Sequence, residues 1–138
     1  MPEVQGVSLS TPPFLHYPMA QTVLAAGKHL LLEKPTTLNV AEARELQNMA
    51  MANGLVTTLN FEFRCVPAWL HLADLLAQDY VGQPRLIKVD WLVSSRADAK
   101  RAWNWYAQKD LGGGALGAIG SHAFDYIAWL FGPLQRLS

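Results

Sequence analysis

The sequence lacks several features that would point to particular classes of protein. A single cysteine, Cys65, allows no internal disulfide and no thiolate metal cluster, and it fits a reducing compartment. Eleven basic residues balance eleven acidic ones, so no net charge attracts nucleic acid or an anionic membrane. No apolar run reaches the roughly 18 to 20 residues that span a bilayer, and the amino terminus has no signal core. These absences predict a soluble, cytoplasmic protein without nucleic acid or membrane partners.

The sequence also lacks the residue spacing that is typical of metal sites. His16, His29 and His71 show no metal-ligand spacing with one another or with acidic residues. We therefore expect no metal site. Hydrophobic residues make up 51% of the 138 positions, which is enough to form a packed core.

The first half of the chain alternates short apolar runs with helical patterns. Strands are predicted at 4–10, 29–32 and 56–60. Pro18 favours the first turn of a helix that ends at Gly27, and Asn39 with Glu42 resembles the capping box of a second helix. Strands separated by helices of about 10 to 15 residues predict a parallel sheet with right-handed crossovers.

The second half differs in pattern from about residue 64. A helix is predicted over 67–77, and residues 86–95 alternate like a strand of an open sheet with one face in water. Residues 98–110 are polar and are predicted as a loop. A last helix follows, and its predicted buried stripe consists of Leu116, Ala123, Ile127 and Leu130.

The chain also lacks the usual start of a doubly wound nucleotide-binding domain. Such a domain begins with a strand, a glycine-rich turn and a helix that binds the pyrophosphate, and none of these precedes position 4. We therefore expect the chain to begin inside such a domain and to stop inside the next one. The strand edges left unpaired would favour association with another copy.

Residues 112–117 match the spacing G-x-G-x-x-G by letter, but no hydrophobic strand precedes them. We interpret them as the closely packed start of a helix rather than as a phosphate loop. Glycines at 114, 117 and 120 would form a groove of small residues at near-helical spacing. Another backbone or a ligand ring could approach closely there.

Two side chains are candidates for proton transfer. Lys34 follows a predicted strand, between an acid and a proline, where open parallel sheets place their ligand crevice. The alternative is a surface lysine paired with Glu33. His122 shares a helix face with Asp125, and the alternative is a surface histidine hydrogen-bonded to that aspartate.

Aromatic and basic residues near these positions allow two interpretations each. Trp103, Trp105 and Tyr106 lie in the polar loop, where they could cover a sugar or a nicotinamide ring or fill a gap between two domains. Arg64 could bind an anion or pair with Glu62.

Several motifs occur in a characteristic order. They are Thr11-Pro12-Pro13 with His16, Ala26-Gly27-Lys28-His29 leading into Glu33-Lys34-Pro35, Arg64 with Pro67, and the triple glycine with Gly120, His122 and Asp125. In this order and spacing they resemble the glucose-fructose oxidoreductase and myo-inositol dehydrogenase family, Gfo/Idh/MocA. The resemblance covers almost the entire chain.

The resemblance implies a fold and an activity. The fold class is α/β, with the C-terminal half of a Rossmann-type parallel sheet in residues 1–63 and the start of an α+β domain with an open sheet in residues 64–138. The activity is hydride transfer between NAD or NADP and a hydroxyl or carbonyl carbon of a sugar- or cyclitol-like substrate. A homo-oligomer is expected.

The resemblance also implies roles for individual residues. Lys34 is the catalytic lysine and His122 the neighbouring acid/base group. The residues expected near the nicotinamide and its ribose are Thr11, Pro12, His16, Glu33 and Lys34. The residues expected on the substrate side are Arg64, Asp125 and Trp105.

Two departures from the family pattern leave alternatives open. Many relatives have an aspartate four residues before the histidine, where this chain has Ala118. The phosphate loop is absent, so the chain by itself is expected to bind cofactor weakly and to be inactive. The alternatives are a non-catalytic relative that binds a ligand or cofactor, and an inactive gene fragment.

Overall fold

The computed structural model describes residues 1–92, 100 and 102–136 of the chain. These residues form two compact units. The first unit contains Met1–Phe61 and Asn104–Ser121, and the second contains Glu62–Trp103 and His122–Ser138. The assignment of two partial domains, 1–63 and 64–138, stays a prediction, since the units group residues by contact and the first includes a later segment.

The first unit contains the parallel sheet that the sequence predicted. Its strands are β1 at Gly6–Leu9, β2 at His29–Glu33 and β3 at Thr57–Asn60, in the spatial order β1-β2-β3. Both strand pairs are parallel. Helix α1, His16–Ala25, connects the first two strands, and helix α2, Val40–Ala52, connects the last two. The α/β class is therefore confirmed.

Local signals define the helix ends as expected. A short 3-10 turn precedes α1, and Gly27, with a φ of 68°, follows its end in a conformation that favours glycine. At the start of α2, the Asn39 side chain accepts a hydrogen bond from the Glu42 amide at 3.0 Å. The Glu42 carboxylate in turn accepts from the Leu38 amide at 3.3 Å. The predicted N-terminal cap is therefore present.

The core of the first unit lies between the sheet and its two helices. On β2, Leu30 and Leu32 are buried against α1 and α2, whereas Leu31 on the opposite face is exposed. Each fully buried leucine contributes roughly 1.5 to 3 kcal/mol of hydrophobic free energy. The buried core residues are Leu9, Ala20, Leu24, Leu30, Leu32, Leu46 and Ala50. This core packs the sheet against both helices, and it thereby fixes the position of the carboxyl ends of the strands, where open parallel sheets bind ligands.

The second unit contains helix α3 at Pro67–Ala77, as predicted, and the residues of α4, Ser121–Phe131, from His122 onwards. The predicted buried stripe of the last helix is only partly correct, because Ala123, Ile127 and Leu130 are half-buried rather than buried. In the first unit Leu116 is 69% exposed, and the residues of α4 that are buried are His122 and Tyr126. The reason is packing between rings, since Tyr126 lies 4.6 Å from the Trp69 ring and aromatic contacts select the helix face.

The predicted strand at 86–95 is not found in its described part. Residues 84–92 form no strand, and residues 93–95 lie outside the described residues. The alternation itself persists, because Ile87, Val89 and Trp91 are about 40% exposed while Leu86 and Leu92 are about 90% exposed. A strand also requires a hydrogen-bonded neighbour, and no described residue pairs with this segment.

The predicted loop at 98–110 falls partly on residues 98, 99 and 101, which lie outside the described residues. Its described part contains two short 3-10 turns, Trp105–Ala107 and Lys109–Leu111. Across the described positions, no helix is both long and apolar enough to cross a membrane. Over the same positions, no group of three or more histidine, cysteine or carboxylate side chains is arranged to hold a metal ion.

Candidate functional site

Lys34 lies where β2 ends, and its amine is anchored to backbone. The Lys34 Nζ atom donates a hydrogen bond to the Ala118 carbonyl oxygen at 2.8 Å, within the first unit. The alternative of an ion pair with the neighbouring Glu33 is not what the structure has. The lysine is half-buried, so its anchored amine is not enclosed by the protein.

Glu33 is occupied by two other partners. Its carboxylate accepts a hydrogen bond from the Asn60 side-chain amide at 2.5 Å and another from the Lys34 backbone amide at 3.2 Å. Glu33 and Asn60 are register partners at the carboxyl ends of β2 and β3. Sequence analysis missed Asn60, although its place at the end of a predicted parallel strand was a usable signal.

The glycine segment at 112–117 is closely packed, as expected for the start of a helix that packs against its surroundings. A side chain at Gly113 would collide with the carbonyl oxygens of Trp105 and Tyr106, and one at Gly117 would collide with the Gly112 carbonyl. At Gly112 itself a Cβ atom would lie 2.5 Å from the Pro13 Cβ. These glycines therefore pack against protein backbone and side chains of the first unit.

The groove predicted from positions 114, 117 and 120 is only partly correct. Nothing lies within 4 Å of a Cβ built at Gly114, whose φ of 81° is the feature that favours glycine. Residues Leu116–Gly120 form a π-helical turn, which contains Ala118. Such turns are frequent at functional sites, and this one contains the carbonyl that accepts the hydrogen bond from the Lys34 amine.

His16 is fully buried, with 0% of its surface exposed, at the start of α1. Its Nδ1 atom lies 2.8 Å from the Pro35 carbonyl oxygen and its Nε2 atom 2.8 Å from the Thr11 carbonyl oxygen. Because carbonyls only accept, a neutral ring donates to one of them and a protonated ring to both. Both ring nitrogens thus contact backbone, and the place of His16 near the nicotinamide stays a prediction.

Thr11 lies just after β1, in the turn that His16 contacts. Its hydroxyl oxygen is buried and has no hydrogen-bond partner among the described residues. A buried hydroxyl without a partner costs free energy, so such an atom calls for an explanation such as an absent ligand. Thr11 was predicted as a cofactor contact, and this orphaned oxygen is consistent with that prediction.

In the second unit, Arg64 and Asp125 satisfy each other. Arg64 Nε donates to Asp125 Oδ2 at 2.9 Å, and Arg64 Nη2 donates to Asp125 Oδ1 at 2.7 Å. This hydrogen bonding raises the pKa of Arg64 above its ordinary value. Both residues were predicted to line a substrate. The structure has a bidentate pair, in which Arg64 pairs with Asp125 rather than with Glu62, and the place of both residues on the substrate side stays a prediction.

His122 lies among aromatic rings in the second unit and is 5% exposed. The acid that faces it is Glu62, whose Oε1 atom is 3.7 Å from His122 Nε2. The Phe63 ring meets the imidazole edge-on at a centroid distance of 4.7 Å. The alternative of a histidine on the helix surface is therefore wrong, because the ring is buried.

The predicted site residues thus fall into two groups. The first unit brings Lys34, Glu33, Thr11 and His16 to the carboxyl end of the sheet. The second unit brings Arg64, Asp125 and His122 together with Glu62, which sequence analysis had not assigned to the site. Trp105 belongs to the first unit, where its ring lies 4.1 Å from that of Tyr106.

Two family models match this chain. Residues 1–61 match the oxidoreductase family with an NAD-binding Rossmann fold, and residues 69–138 match the GFO/IDH/MocA C-terminal domain. The chain belongs to the GFO/IDH/MocA oxidoreductase family. The resemblance drawn from its motifs is therefore confirmed, and the family's cofactor is NAD.

Individual relatives agree with this membership. An uncharacterized oxidoreductase of Synechocystis is 59% identical over 99% of this chain and 37% of its own length. The structure of an oxidoreductase domain protein from Kribbella flavida aligns with a TM-score of 0.84 at 35% identity, covering 94% of this chain and 36% of that one.

A third similar protein has a described ligand complex. The structure of levoglucosan dehydrogenase with NADH and levoglucosan aligns with a TM-score of 0.80 at 28% identity, over 96% of this chain and 36% of that one. A levoglucosan dehydrogenase from Pseudarthrobacter phenanthrenivorans is likewise 28% identical in sequence. This GFO/IDH/MocA chain thus spans about a third of the length of the relatives it matches.

Proposed function

We propose that the gene product containing this chain transfers a hydride reversibly between NAD or NADP and a hydroxyl or carbonyl carbon of a sugar- or cyclitol-like substrate. In this proposal Lys34 exchanges the proton of the reacting oxygen. The observation that carries the proposal is the placement of the Lys34 amine at the carboxyl end of β2, anchored on the Ala118 carbonyl. Ligands of open parallel sheets bind beyond that end of the strands.

The chemistry of Lys34 suits this role. An ammonium donates a proton or a hydrogen bond to a carbonyl oxygen that is being reduced, and a free amine accepts the proton of a hydroxyl that is being oxidised. The Lys34 amine donates one hydrogen bond to the Ala118 carbonyl. The remaining hydrogen-bonding positions of the amine stay open for a substrate oxygen. The Lys34 amine is therefore oriented by one hydrogen bond and can still form another with a substrate.

The residues near Lys34 fit a nicotinamide cofactor. When bound, the nicotinamide ring supplies or accepts the hydride. The buried Thr11 hydroxyl without a partner is an atom that a bound group would satisfy. We propose Thr11, Pro12 and Glu33 as contacts on the cofactor side. Trp105 would contribute its ring to the substrate side.

His122 is proposed as a second proton-transfer group in its own unit. Its Nε2 atom lies 3.7 Å from the Glu62 carboxylate, so a proton-accepting group faces the imidazole. Arg64 and Asp125 are proposed to fix each other's side-chain positions near His122, rather than to contact the substrate separately.

The substrate class is proposed from a similar protein. Levoglucosan dehydrogenase, 28% identical to this chain, was crystallised with NADH and levoglucosan, which is an anhydrosugar. A polyol or sugar is therefore the first class to test. We expect NAD-dependent oxidation of at least one member of a panel of sugars, anhydrosugars and cyclitols by the gene product.

The decisive variant is Lys34→Met, which keeps the length of the stem and removes the amine. We expect the kcat to fall by about 100-fold or more, while the Kd for NADH, followed by nicotinamide fluorescence, changes less than about threefold. Lys109→Met, on an exposed lysine of the same unit, is the matched control and should change neither quantity. Equal losses of turnover and cofactor affinity in Lys34→Met would contradict the role.

A non-catalytic ligand-binding relative is the second candidate, and the replacement of the family aspartate by Ala118 favours it. Saturable NADH binding without turnover of any member of the panel would support this candidate. Turnover that disappears in Lys34→Met would exclude it.

A further inference from the structure

We propose that His16 is the positioning residue of Lys34. Its imidazole ties the turn that follows β1 to the turn that follows β2, so that the lysine leaves the sheet in one fixed direction. This inference deepens the proposed function and rests on Lys34 being the proton-transfer group.

The geometry of the two turns carries the argument. His16 Nδ1 lies 2.8 Å from the carbonyl oxygen of Pro35, the residue directly after Lys34. The proline ring limits its own φ to about −65°, so holding its carbonyl leaves few free torsions between the anchor and the lysine backbone. The amine at the end of the Lys34 side chain is held by the Ala118 carbonyl. Lys34 is thus fixed at its backbone and at its amine.

The second ring nitrogen extends the same anchor to the neighbouring strand. His16 Nε2 lies 2.8 Å from the Thr11 carbonyl oxygen, in the turn where the orphaned Thr11 hydroxyl is found. One imidazole therefore sets the spacing between the proposed cofactor side and the lysine turn.

Burial explains why this anchor is strong. His16 has no exposed surface, so water cannot replace the ring if it is removed. A backbone carbonyl that accepts from the ring would then lose its donor inside the protein, which is more costly than losing a hydrogen bond at the surface. The ring also has no surface with which to touch a substrate, so any effect on the reaction must pass through the two turns that the ring contacts.

Three variants separate the contact of His16 with Pro35 from its contact with Thr11. The side-chain amide of His16→Asn can place a donor near the Nδ1 position and so keep the bond to Pro35, whereas that of His16→Gln can reach the Nε2 position and keep the bond to Thr11. His16→Leu keeps neither. Leu24→Ala is the matched control, because Leu24 is equally buried in α1 but packs in the core, away from both turns.

The readout is the Lys34 side chain itself. Reductive methylation with 13C-formaldehyde gives each lysine a dimethylamine resonance, and Lys34→Met identifies that of Lys34. In the wild type we expect this resonance to lie apart from that of the exposed Lys109. It should move onto the Lys109 position in His16→Leu, move partly in His16→Gln, and stay nearly unchanged in His16→Asn and in Leu24→Ala.

Two results would overturn the proposal. One is an unchanged Lys34 resonance in a folded His16→Leu protein. The other is an equal movement in Leu24→Ala at the same loss of stability, which would make the effect a general loosening. If the His16 variants do not fold, the wild type still decides, because an anchored ring must show at least one slowly exchanging imidazole N–H proton assigned to His16, and its absence contradicts the anchor.

Turnover gives the kinetic counterpart in the gene product. His16→Leu should lower kcat roughly 10- to 100-fold with a much smaller change in KM, since misplacement rather than lost binding is the cause. The resonance test needs neither cofactor nor turnover. An inactive wild type, or an active Lys34→Met, would therefore refute the proposed function by itself, whereas an unmoved Lys34 resonance would refute the role of His16.

Discussion

The amine of Lys34 donates a hydrogen bond of 2.8 Å to the carbonyl oxygen of Ala118, 84 residues further along the chain. The acceptor belongs to the backbone, so the bond does not depend on which side chain stands at position 118. This arrangement gives the lysine an anchor that no side chain at position 118 has to supply.

The first prediction concerns this anchor. Lys34→Met should lower the free energy of unfolding by about 1 kcal/mol, because a hydrogen bond between two distant segments is lost. Ala118→Ser keeps the carbonyl and should change stability by less than about 0.5 kcal/mol. Urea unfolding of both variants checks this, and a larger loss in Ala118→Ser than in Lys34→Met would contradict it.

The second prediction concerns the pair of Arg64 and Asp125. A double-mutant cycle with Arg64→Ala and Asp125→Ala should give a coupling free energy of about 1 kcal/mol, since the bond is bidentate but the Arg64 side chain is 47% exposed. Arg64→Lys should lose most of this coupling, because an ammonium cannot form both parallel bonds. Coupling that persists unchanged in Arg64→Lys would show that charge alone carries the interaction.

The third prediction concerns the packing of the glycine segment. Gly113→Ala should destabilise the chain by about 1 to 3 kcal/mol, because its new Cβ collides with two backbone carbonyls that cannot move aside cheaply. Gly6→Ala is the control, since a Cβ there meets His29 at an ordinary 3.6 Å. Thermal unfolding of both variants is the measurement, and equal melting temperatures would refute the packing argument.

The fourth prediction concerns the cap of α2. Asn39→Ala should cost about 1 kcal/mol, because the Glu42 amide loses its side-chain acceptor. Asn39→Asp retains an acceptor and should stay within about 0.5 kcal/mol of the wild type. Guanidinium unfolding distinguishes the two, and an Asn39→Asp loss as large as that of Asn39→Ala would count against capping.

The fifth prediction is a pH dependence at the contact between α1 and α2. The Tyr17 hydroxyl donates to the Glu45 carboxylate at 2.7 Å, and this hydrogen bond raises the pKa of Tyr17 above its ordinary value of 10.0. Because the folded pKa is raised, the stabilising contribution is complete below pH 10 and is lost as the pH rises through the folded pKa. The wild type should therefore be more stable than Tyr17→Phe near neutrality, and the difference should shrink at higher pH.

Urea unfolding of both proteins at about pH 8 and about pH 11 measures this difference. Tyr80→Phe, at an exposed position, serves as the control and should show no comparable change between the two pH values. A Tyr17→Phe difference that grows with pH would have the wrong sign for this linkage.

Local patterns were enough to predict much of the first unit. The period of the apolar residues and the glycine and asparagine signals at the helix ends predicted β1 to β3, α1 and α2, because these signals act within a few residues. The motif order also predicted the family, which both family models confirm. The strand at 86–95 failed in its described part because a strand depends on a neighbour as well as on its own alternation.

The partners of the polar groups could not be predicted in the same way. No motif indicated that His16 meets the carbonyl of Pro35, 19 residues away. Glu62 was the acid considered as a partner for Arg64, yet Arg64 binds Asp125, 61 residues away. In each case several partners were chemically acceptable, and sequence pattern carries no information about which one comes within hydrogen-bond distance.

The sequence by itself thus determined the α/β class, the parallel sheet, the family and the identity of Lys34 as the candidate proton-transfer group. Only the tertiary structure decided that the lysine is held by the Ala118 carbonyl, that His16 is buried between two turns, and that Glu62 faces His122. The physical reason is range. Periodicity and capping are properties of adjacent residues, whereas a hydrogen bond forms only after folding has brought distant segments within about 3 Å.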